Sequence, residues 1–410
     1  MKKRIKQILN NHYYKYLHKE KYRNKLNSFL FFFLYKLVFR LYALRKVDKK
    51  LILFVASNDY VIPPEYKSLY ELSKEKGYKP LFIYKSKNTS SVFYINEIKK
   101  IRNDLRFIKY YARARATFLY DYYLPAYANS PRKNSRVIQI WHACGAFKKW
   151  GYSTRKSEWG LKDEFFERFN IHGTYTHIVT SAPKINGVYA EAFGNDISKV
   201  HALGVPRTDI FFEEDFVAKS RAMLIQRYPE LENKKILMWA PTYRGNSIRE
   251  SKNDMAIDFE ALKGMLTDEY ALLVKLHPHI AKSLKDSDLP ENLRGFVYNI
   301  SDKFDISNAL CFSDIVISDY SSLIFEYSLF EKPMIFYAYD LEEYDSDRSF
   351  YYDYESFVPG EIVKTTKELA KAILNAGNNF NKQKVVSFRE DFMSACDGKA
   401  TKRVFSIVEE

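Results

Sequence analysis

The feature that most constrains the fold is a regular alternation of short apolar runs with helix-like segments, which begins at residue 51. Near its start, LILFVAS (51–57) and KPLFIYK (79–85) have the length and composition of buried strands, and EYKSLYELSKEKG (65–77) between them predicts a helix that ends at Gly77. Strands that are apolar along their whole length and alternate with helices predict a parallel sheet covered on both faces. We therefore expect an α/β protein.

The division into domains follows from the chain length and from a charged stretch in its middle. A chain of 410 residues exceeds what one hydrophobic core usually organises, and FFEEDFVAKSRAMLIQRYPELENKK separates two series of apolar runs. We predict two facing, doubly wound Rossmann-like domains joined by a helical linker, with the last helices able to pack back on the first domain. The predicted limits are 1–48 for an amino-terminal segment, 49–213 for the first domain, 214–233 for the linker and 234–410 for the second domain.

The net charge of +15 is concentrated at the amino terminus. Residues 1–50 contain 15 Lys and Arg against two acidic residues, Glu20 and Asp48, which leaves 50 basic and 48 acidic residues in the rest of the chain. Nucleic-acid-binding proteins usually spread their positive charge over a folded groove. Because the body of this chain is almost neutral, we do not expect a nucleic-acid partner.

The basic segment has the pattern of a helix that lies on an anionic membrane surface. Residues 2–26 place apolar side chains at three-to-four spacing among Lys and Arg. The segment 28–46 is interrupted by Lys36 and Arg40, and its uninterrupted apolar run is shorter than the roughly 20 residues of a spanning helix. Aromatic and leucine side chains would enter the acyl boundary while the cations meet the headgroups. The alternative is a solvated basic tail followed by one core helix.

The three cysteines do not form a recognisable framework. Cys144, Cys311 and Cys396 are odd in number and far apart, and they show no CxxC or metal-like spacing. We therefore expect no disulfide scaffold and a reducing compartment.

Polar side chains follow four of the apolar runs, at the positions where parallel strands would end. Ligands of doubly wound sheets bind outside the carboxyl ends of the strands. Four polar groups at four such ends predict a common cleft between the two domains. The residues at these ends are His142, Thr242, Arg244, His277, His279, Ser321 and Ser322.

The segment SDIVISDYSSLIFEYS predicts a strand that turns into a helix. Ser321 and Ser322 would lie in or near the first helical turn, where hydroxyls, backbone amides and the helix dipole favour phosphate. Asp319, at the same turn, is also expected to contact the substrate. The alternative is that Asp319 or a serine only caps the helix. Glu326, one turn further on, is placed to accept hydrogen bonds from ribose hydroxyls, or is a surface residue.

Two more segments supply groups that can bind phosphate. KLHPH places Lys275, His277 and His279 at alternate positions, all able to donate to phosphate oxygens. No Asp, Glu or Cys cluster lies near these histidines in sequence, so a zinc site is disfavoured and no metal is expected. APTYRG offers Thr242 and Arg244, whose planar guanidinium suits a pyrophosphate.

The segment QIWHACGAFKKWG (139–151) combines one histidine, one cysteine and two lysines after an apolar run. Neutral imidazole is a suitable base near neutral pH, so His142 is the candidate base. A nucleophilic Cys144 is the competing interpretation, but residues two apart on a short segment seldom form the required hydrogen bond, and packing is favoured. Lys148 and Lys149 are either solvated or hold an anionic acceptor.

Four motifs together resemble the CDP-glycerol glycerophosphotransferase family, which builds teichoic acids and related polymers. They are WHACGAFKKWG, LGVPRTD, KLHPH and SDYSSLIFEYSLFEKPMIFYAYDLEEY, and the resemblance spans residues 110–375. It implies a GT-B fold, a CDP-activated polyol phosphate donor and peripheral attachment to the cytoplasmic face of a bacterial membrane. The chain departs from the pattern at Ala143, where many members have glycine, and alanine permits fewer backbone angles.

The resemblance also implies roles by position. His142 becomes the base acting on an acceptor hydroxyl, His277 acts at the donor phosphates, and Arg244, Ser321 and Ser322 contact those phosphates. The expected reaction moves glycerol phosphate from CDP-glycerol to a hydroxyl of a lipid-linked or growing glycan acceptor and releases CMP. No cofactor is expected.

Three other interpretations stay open. In the first the donor is CDP-ribitol, and in the second a GT-B glycosyltransferase uses a nucleotide sugar. In the third the chain is a membrane-surface adaptor whose basic tail is its function, although an adaptor has no need of polar clusters at strand ends. The chain length resembles that of family members that add one or a few units to a lipid-linked acceptor.

Overall fold

The computed structural model describes the chain from residue 26 to its end, apart from several short segments. The described residues are 26–87, 93–155, 163–242, 244, 256–277, 280–281, 284 and 289–410. They form two six-stranded parallel sheets that alternate with helices along the chain. The predicted α/β class and the predicted pair of parallel sheets are confirmed.

The first sheet contains six parallel strands. These strands are β1 (Asp48–Ala56), β2 (Lys79–Tyr84), β3 (Ala114–Leu119), β4 (Arg136–Gln139), β5 (His177–Thr180) and β6 (Val200–Ala202). Their order across the sheet is β2-β1-β3-β4-β5-β6. The direction of winding reverses between β1 and β3, which makes this the switch point of the first sheet.

The second sheet also contains six parallel strands. These strands are β7 (Lys235–Trp239), β8 (Tyr270–Val274), β9 (Val297–Asn299), β10 (Ile315–Ser318), β11 (Met334–Tyr337) and β12 (Glu361–Val363). Their order is β12-β11-β10-β7-β8-β9, which is the order of a Rossmann fold. Its switch point therefore lies between β7 and β10.

Helices connect most of the strands. Those before β7 are α1 (Tyr35–Ala43), α2 (Pro64–Glu75), α3 (Phe93–Tyr111), α4 (Leu124–Tyr127), α5 (Asp163–Phe169), α6 (Asn186–Phe193) and α7 (Glu214–Arg227). Those after β7 are α8 (Phe259–Met265), α9 (Ile306–Phe312), α10 (Leu323–Ser328), α11 (Leu341–Arg348), α12 (Tyr354–Phe357), α13 (Thr366–Asn378), α14 (Lys382–Met393) and α15 (Ala400–Glu409). The stretch predicted as a linker contains α7, and the predicted domain limits stay a prediction.

The side chains of β1 show why the first sheet is covered on both faces. Successive residues of a strand point to opposite sides. Leu53 and Val55 belong to the core on the side of α3, whereas Ile52 and Phe54 pack in a separate cluster with α2 and α15. Phe405 of α15 is fully buried in that second cluster. The last helix of the chain thus packs on the first sheet.

An aromatic core joins the first domain to the second. Phe147, in the loop after β4, stacks on Phe350 with 5.1 Å between ring centroids. Next to it, Lys148 and Phe350 form an isolated antiparallel bridge. Phe325 of α10 stacks on Phe388 of α14 at 5.2 Å, and both belong to the same buried cluster as Phe147. These contacts hold the loop after β4 close to the second sheet.

Residues 26–43 form one helix of 18 residues that includes a π-helical turn. Leu30, Phe31 and Tyr35 are buried against the first domain. By length and composition alone this helix could cross a membrane, a test that core helices of soluble proteins also pass. The sequence analysis expected no spanning helix, because the uninterrupted apolar run is short. The helix in the structure is longer than that run, since it continues past Lys36 and Arg40. The amphipathic helix predicted over 2–26 lies almost entirely outside the described residues.

Candidate active site

The switch point of the second sheet carries a tightly bonded polar cluster. Because β7 and β10 are neighbours, Thr242 after β7 meets Asp319 after β10. The buried Asp319 carboxylate accepts hydrogen bonds from the Thr242 amide at 2.9 Å, from Thr242 Oγ1 at 2.8 Å and from Arg244 Nη1 at 3.0 Å. Asp319 therefore fixes the two loops against each other, and its predicted contact with substrate stays a prediction.

Arg244 is directed at carboxylates. Asp340 accepts from Nε at 2.6 Å and from Nη2 at 3.0 Å, and Nη1 donates to Asp319 and to the Thr242 carbonyl. Burial opposes the charge of Arg244, but the hydrogen bond and charge of Asp340 and the charge of Asp319 outweigh it and raise its pKa. These bonds involve all three guanidinium nitrogens and hold the fork beside the carboxylates, and the expected contact of Arg244 with a pyrophosphate stays a prediction.

Lys275 anchors a loop of the second domain. Its Nζ donates to the carbonyls of Ser301 at 2.8 Å and Phe304 at 2.5 Å, and burial lowers its pKa. Lys275 thus supports the loop that lines the adjacent cavity and lines that cavity itself, and its expected direct contact with phosphate stays a prediction. His277 lines that cavity as well. His279 lies outside the described residues.

Two cavities meet at this edge of the second sheet. The larger, about 610 Å³, is lined by the second domain and by Met223 of α7, and the smaller, about 390 Å³, is also lined by the loop 141–150 of the first domain. They share a wall made of Pro241, His277, Ser321 and Ser322. The side chain of Ser322, the residue before α10, makes no capping hydrogen bond. The structure thus brings the predicted serines and His277 together between two cavities.

His142 lines the smaller cavity from the first domain. Its side chain is 43% exposed, and its Nδ1 lies 3.2 Å from the Tyr120 carbonyl oxygen. A carbonyl only accepts hydrogen bonds, so this contact requires the proton on Nδ1 and leaves the lone pair on Nε2. Asp121 Oδ1 lies 3.9 Å from the same Nδ1. The arrangement suits a base whose ring is held at Nδ1 and whose Nε2 is available to accept a proton.

The backbone around His142 takes unusual angles at its neighbours. Trp141 has a φ of 54°, and its amide donates to Gln139 Oε1 at 2.9 Å. Gly145 has a φ of 62°, and an added Cβ would lie 2.3 Å from the Phe325 ring. Ala143 is not among the residues with positive φ. The backbone of the loop therefore takes no angle at 143 that would favour glycine over alanine.

The two predicted acceptor lysines lie at the junction of the domains. Lys148 Nζ donates to the Tyr344 hydroxyl at 2.8 Å, and the Lys149 amide donates to the Ser349 carbonyl at 3.1 Å. Both lysines line the smaller cavity. Their position is compatible with an anionic acceptor, and that role stays a prediction.

Arg207, which the sequence analysis did not single out, joins the two sides of the cleft. Its Nη1 donates to Glu65 of α2 at 2.9 Å and to the His142 carbonyl at 2.6 Å, while its Nε donates to Glu326 of α10 at 2.9 Å. The side chains of all three partners in this ion triad are at most 14% exposed. Glu326 therefore has a structural partner, and it also lines the larger cavity, so its expected contact with ribose stays a prediction.

Cys144 lies beneath the same loop. It is 1% exposed, with Sγ 4.0 Å from Arg207 Nη2. Burial, reinforced by the charge of Glu326, raises the pKa of its thiol well above the ordinary value despite the opposing charge of Arg207. A buried thiol with a raised pKa is a poor nucleophile, so the packing role favoured from the sequence fits the structure.

Sequence reasoning missed Arg207 and Asp340 for a common reason. Both form hydrogen bonds with residues that are far away in the chain. The sequence around an isolated arginine or aspartate does not indicate such a distant partner. Both residues lie in segments that carry the family resemblance, Arg207 in LGVPRTD directly after β6 and Asp340 in the segment that begins with SDYSS. Among the described residues, no group of three or more His, Cys, Asp or Glu is placed to hold a metal ion.

The fold resembles two groups of solved structures. The wall teichoic acid polymerase TagF superposes with a TM-score of 0.73 at 22% identity, covering 95% of this chain and 96% of that one. The UDP-GlcNAc 2-epimerase of Neisseria meningitidis bound to UDP-GlcNAc superposes with a TM-score of 0.54 at 14% identity, covering 89% and 100%. At these identities the likeness concerns the fold, and it is consistent with the GT-B arrangement expected from the motifs.

Sequence relatives are more informative. The teichoic acid poly(ribitol-phosphate) polymerase of Bacillus spizizenii is 37% identical over 93% of this chain, which spans 59% of that protein. The teichoic acid ribitol-phosphate primase of the same organism is 36% identical over 72% of the chain and 75% of its own length. The teichoic acid poly(glycerol phosphate) polymerase of Bacillus spizizenii is 27% identical over 90% of this chain and 95% of its own length. Residues 37–410 match the family model of CDP-glycerol:poly(glycerophosphate) glycerophosphotransferases. The chain therefore belongs to this family.

Proposed function

We propose that this protein transfers a polyol phosphate from a CDP-activated donor to an acceptor hydroxyl and releases CMP. The observation that carries the proposal is the position of His142, which lines a cavity whose opposite wall holds His277, Ser321 and Ser322. A base on one side and phosphate-binding groups on the other are what an in-line displacement needs.

This geometry supports a direct displacement at phosphorus. The acceptor hydroxyl gives its proton to His142 Nε2 as its oxygen forms a bond to the β-phosphorus of the donor. The bond from that phosphorus to the bridging oxygen breaks, and CMP leaves with the bonding electrons. The Tyr120 carbonyl holds the ring by its Nδ1 and stabilises the imidazolium that forms. His277 and the serine hydroxyls are placed to donate to the oxygens of the transferred group.

The larger cavity is the proposed nucleotide site. Its volume of about 610 Å³ falls in the range of small-molecule sites, and it opens beside the switch point of a Rossmann-ordered sheet. The shared wall would then hold the phosphates between the nucleotide and His142. In this arrangement Arg244, Lys275 and Asp319 shape the site.

We propose ribitol phosphate as the transferred group, in preference to the glycerol phosphate expected from the motifs. The support is similarity, since the relatives named for ribitol phosphate reach 37% identity and the poly(glycerol phosphate) polymerase 27%.

We also propose that the protein attaches peripherally to the cytoplasmic face of the cell membrane. The support is the helix 26–43, whose outward side chains Phe29, Phe33 and Leu41 are each more than half exposed.

A donor panel tests the proposal. CDP-ribitol, CDP-glycerol, CMP-sialic acid and UDP-GlcNAc are each incubated with the full chain and a membrane extract that contains lipid-linked acceptors, and nucleotide release is measured. We expect CMP release from the CDP-polyols, with CDP-ribitol the better donor. Release of UDP alone would replace the proposal by a sugar transferase, and no release with any donor would contradict it.

A further inference from the structure

Gln139, the last residue of β4, is fully buried and lines neither cavity of the cleft. Its Oε1 accepts a hydrogen bond from the Trp141 amide at 2.9 Å. Because an amide N–H can only donate, this bond identifies the oxygen end of the side chain. The other end, Nε2, donates to the Tyr175 hydroxyl at 2.8 Å and to the Asp121 carbonyl at 3.5 Å. Gln139 thus connects two segments that lie against the His142 ring.

Gln139 belongs to a buried polar network that the proposed reaction does not use. The Tyr175 hydroxyl lies 2.8 Å from the Tyr127 hydroxyl and 2.8 Å from His172 Nδ1. All four residues are at most 4% exposed, and burial lowers the pKa of His172 to about 3, so its ring stays neutral. Polar side chains that bond one another in a protein interior form a rigid unit. This unit reaches the cleft through the bond from the Trp141 amide to Gln139.

Trp141 links the network to His142. Its φ of 54° is an angle that a residue with a large side chain adopts only where its surroundings hold it there. The indole packs on the imidazole of His142, with 4.1 Å between the ring centroids and 34° between the planes. Phe193 and Trp150 contact the indole as well, with centroids at 5.2 and 5.9 Å. The bond to Gln139 holds the backbone of Trp141, and these rings hold its side chain.

Two contacts together define where His142 Nε2 lies. The hydrogen bond from Nδ1 to the Tyr120 carbonyl fixes one atom of the ring, but the ring can still turn about that contact. The indole of Trp141 lies along one face of the ring and fixes its plane. With one atom and the plane fixed, Nε2 has a defined position. That position matters, because a displacement of about 1 Å at a reacting group can cost about 100-fold in rate.

We propose that Gln139 and Trp141 are positioning residues for His142. The Gln139 side chain holds the Trp141 backbone at its unusual angle, and the indole then holds the imidazole so that Nε2 faces the acceptor hydroxyl. The inference rests on the proposed function, in which Nε2 takes the proton of that hydroxyl. Neither positioning side chain takes or gives a proton in the reaction.

Gln139→Met tests the first step. Methionine has a similar volume but no oxygen to accept from the Trp141 amide, so the indole should move relative to His142. The matched control is Thr180→Val, because Thr180 is also fully buried, ends the neighbouring strand β5 and lines neither cavity of the cleft. Valine has the shape of threonine and removes the hydrogen bond from Thr180 Oγ1 to Asn186 Oδ1 at 2.5 Å.

Two measurements on the full chain separate the position of the base from its reactivity. The first is the NMR resonance of the His142 ring C–H groups, which the ring current of the indole displaces upfield. It is identified by its loss in His142→Gln. The second is single-turnover CMP release with the membrane extract of the donor panel, measured together with the dissociation constant of the CDP-polyol donor.

In Gln139→Met the His142 resonance should move downfield. The rate should fall by about 30-fold, less than the roughly 100-fold that a displacement of about 1 Å can cost, while the donor dissociation constant stays the same. Thr180→Val should leave the resonance, the rate and donor binding as in the wild type. A displaced base predicts this separation of rate from donor binding, whereas a general loss of structure would weaken donor binding as well.

Substitutions of Trp141 test the second step, and they leave the buried network intact. Trp141→Phe keeps an aromatic face beside His142, so its rate should stay within a few-fold of the wild type. Trp141→Leu removes that face and should lose about as much rate as Gln139→Met, again with unchanged donor binding. If Gln139→Met does not fold, this pair decides the inference.

An unchanged His142 resonance in Gln139→Met, or a displaced resonance with an unchanged rate, would overturn the inference. Equal rates in Trp141→Phe and Trp141→Leu would overturn it as well. If the wild type releases no CMP from any donor, the proposed function fails, and the resonance alone then decides whether Gln139 holds the His142 ring.

Discussion

The two sheet edges that face the cleft use their polar residues in opposite ways. At the edge of the second sheet, Arg244, Asp319 and Lys275 are buried or half-buried and bonded to other protein groups. At the edge of the first sheet, His142 is 43% exposed and is held at Nδ1, with Nε2 left to act. The difference indicates that the charged residues of the second edge build a cavity, and it supports the proposal that His142, whose ring is fixed at one end only, is the reacting side chain.

The largest effect is expected from Asp319→Ala, which removes the acceptor of the Thr242 amide, the Thr242 hydroxyl and Arg244. Breaking a buried ion pair from one side costs about 3–5 kcal/mol, because the remaining charge loses its partner. Urea unfolding measures the loss, with Asp215→Ala as the control because the Asp215 side chain is 89% exposed. Equal stability of the two variants would show that the second edge is not held together by this carboxylate.

Arg207→Lys probes the connection between the edges. Lysine keeps the charge but cannot hydrogen-bond to Glu65, Glu326 and the His142 carbonyl at the same time. The base His142 should therefore shift relative to the wall that the two cavities share. We expect kcat to fall by about 100-fold with little change in the donor dissociation constant.

Arg403→Lys is the matched control for this test. Arg403 also makes several hydrogen bonds, to Leu203, Ala395 and Asp397, but it lines neither cavity of the cleft. A similar loss of kcat in both variants, or a weakened donor affinity in Arg207→Lys alone, would contradict a positioning role for Arg207.

The smallest effect is expected from Cys144→Ala. The thiol is buried and its pKa is raised, so we expect it to take no part in the chemistry. Activity should stay close to that of the wild type, and stability should fall by about 1 kcal/mol for the lost sulfur. Iodoacetamide should not inactivate the folded wild type. Loss of CMP release in the alanine variant at unchanged stability would make Cys144 a reacting group.

Much of the fold could be predicted, because its signals are local. The apolar runs of β1, β2 and β10 and the end of α2 near Gly77 can be seen within a few residues of sequence. The same holds for the polar residues at strand ends, since parallel strands bring those ends to one edge. His142, His277, Ser321 and Ser322 were placed at a common cleft on that ground, and they do line one cavity.

The parts that could not be predicted depend on pairs of residues that are distant in the chain. Nothing in the sequence indicated that Arg244 pairs with Asp340, 96 positions away, or that Glu326 pairs with Arg207, 119 positions away. The phosphate and ribose roles expected for Arg244 and Glu326 stay predictions. A cation or a carboxylate at a strand end has the same sequence signature whether it meets a ligand or a partner side chain. Only the packed structure distinguishes the two.

The most direct test of the account is single-turnover CMP release by His142→Gln with a bound CDP-polyol donor. Glutamine keeps a polar group but removes the base, so we expect the rate to fall by at least about 100-fold while the donor dissociation constant stays the same. His201→Gln, on β6 and outside both cavities of the cleft, should behave as the wild type. A rate in His142→Gln within a few-fold of the wild type would contradict the claim that reactivity lies at the first edge.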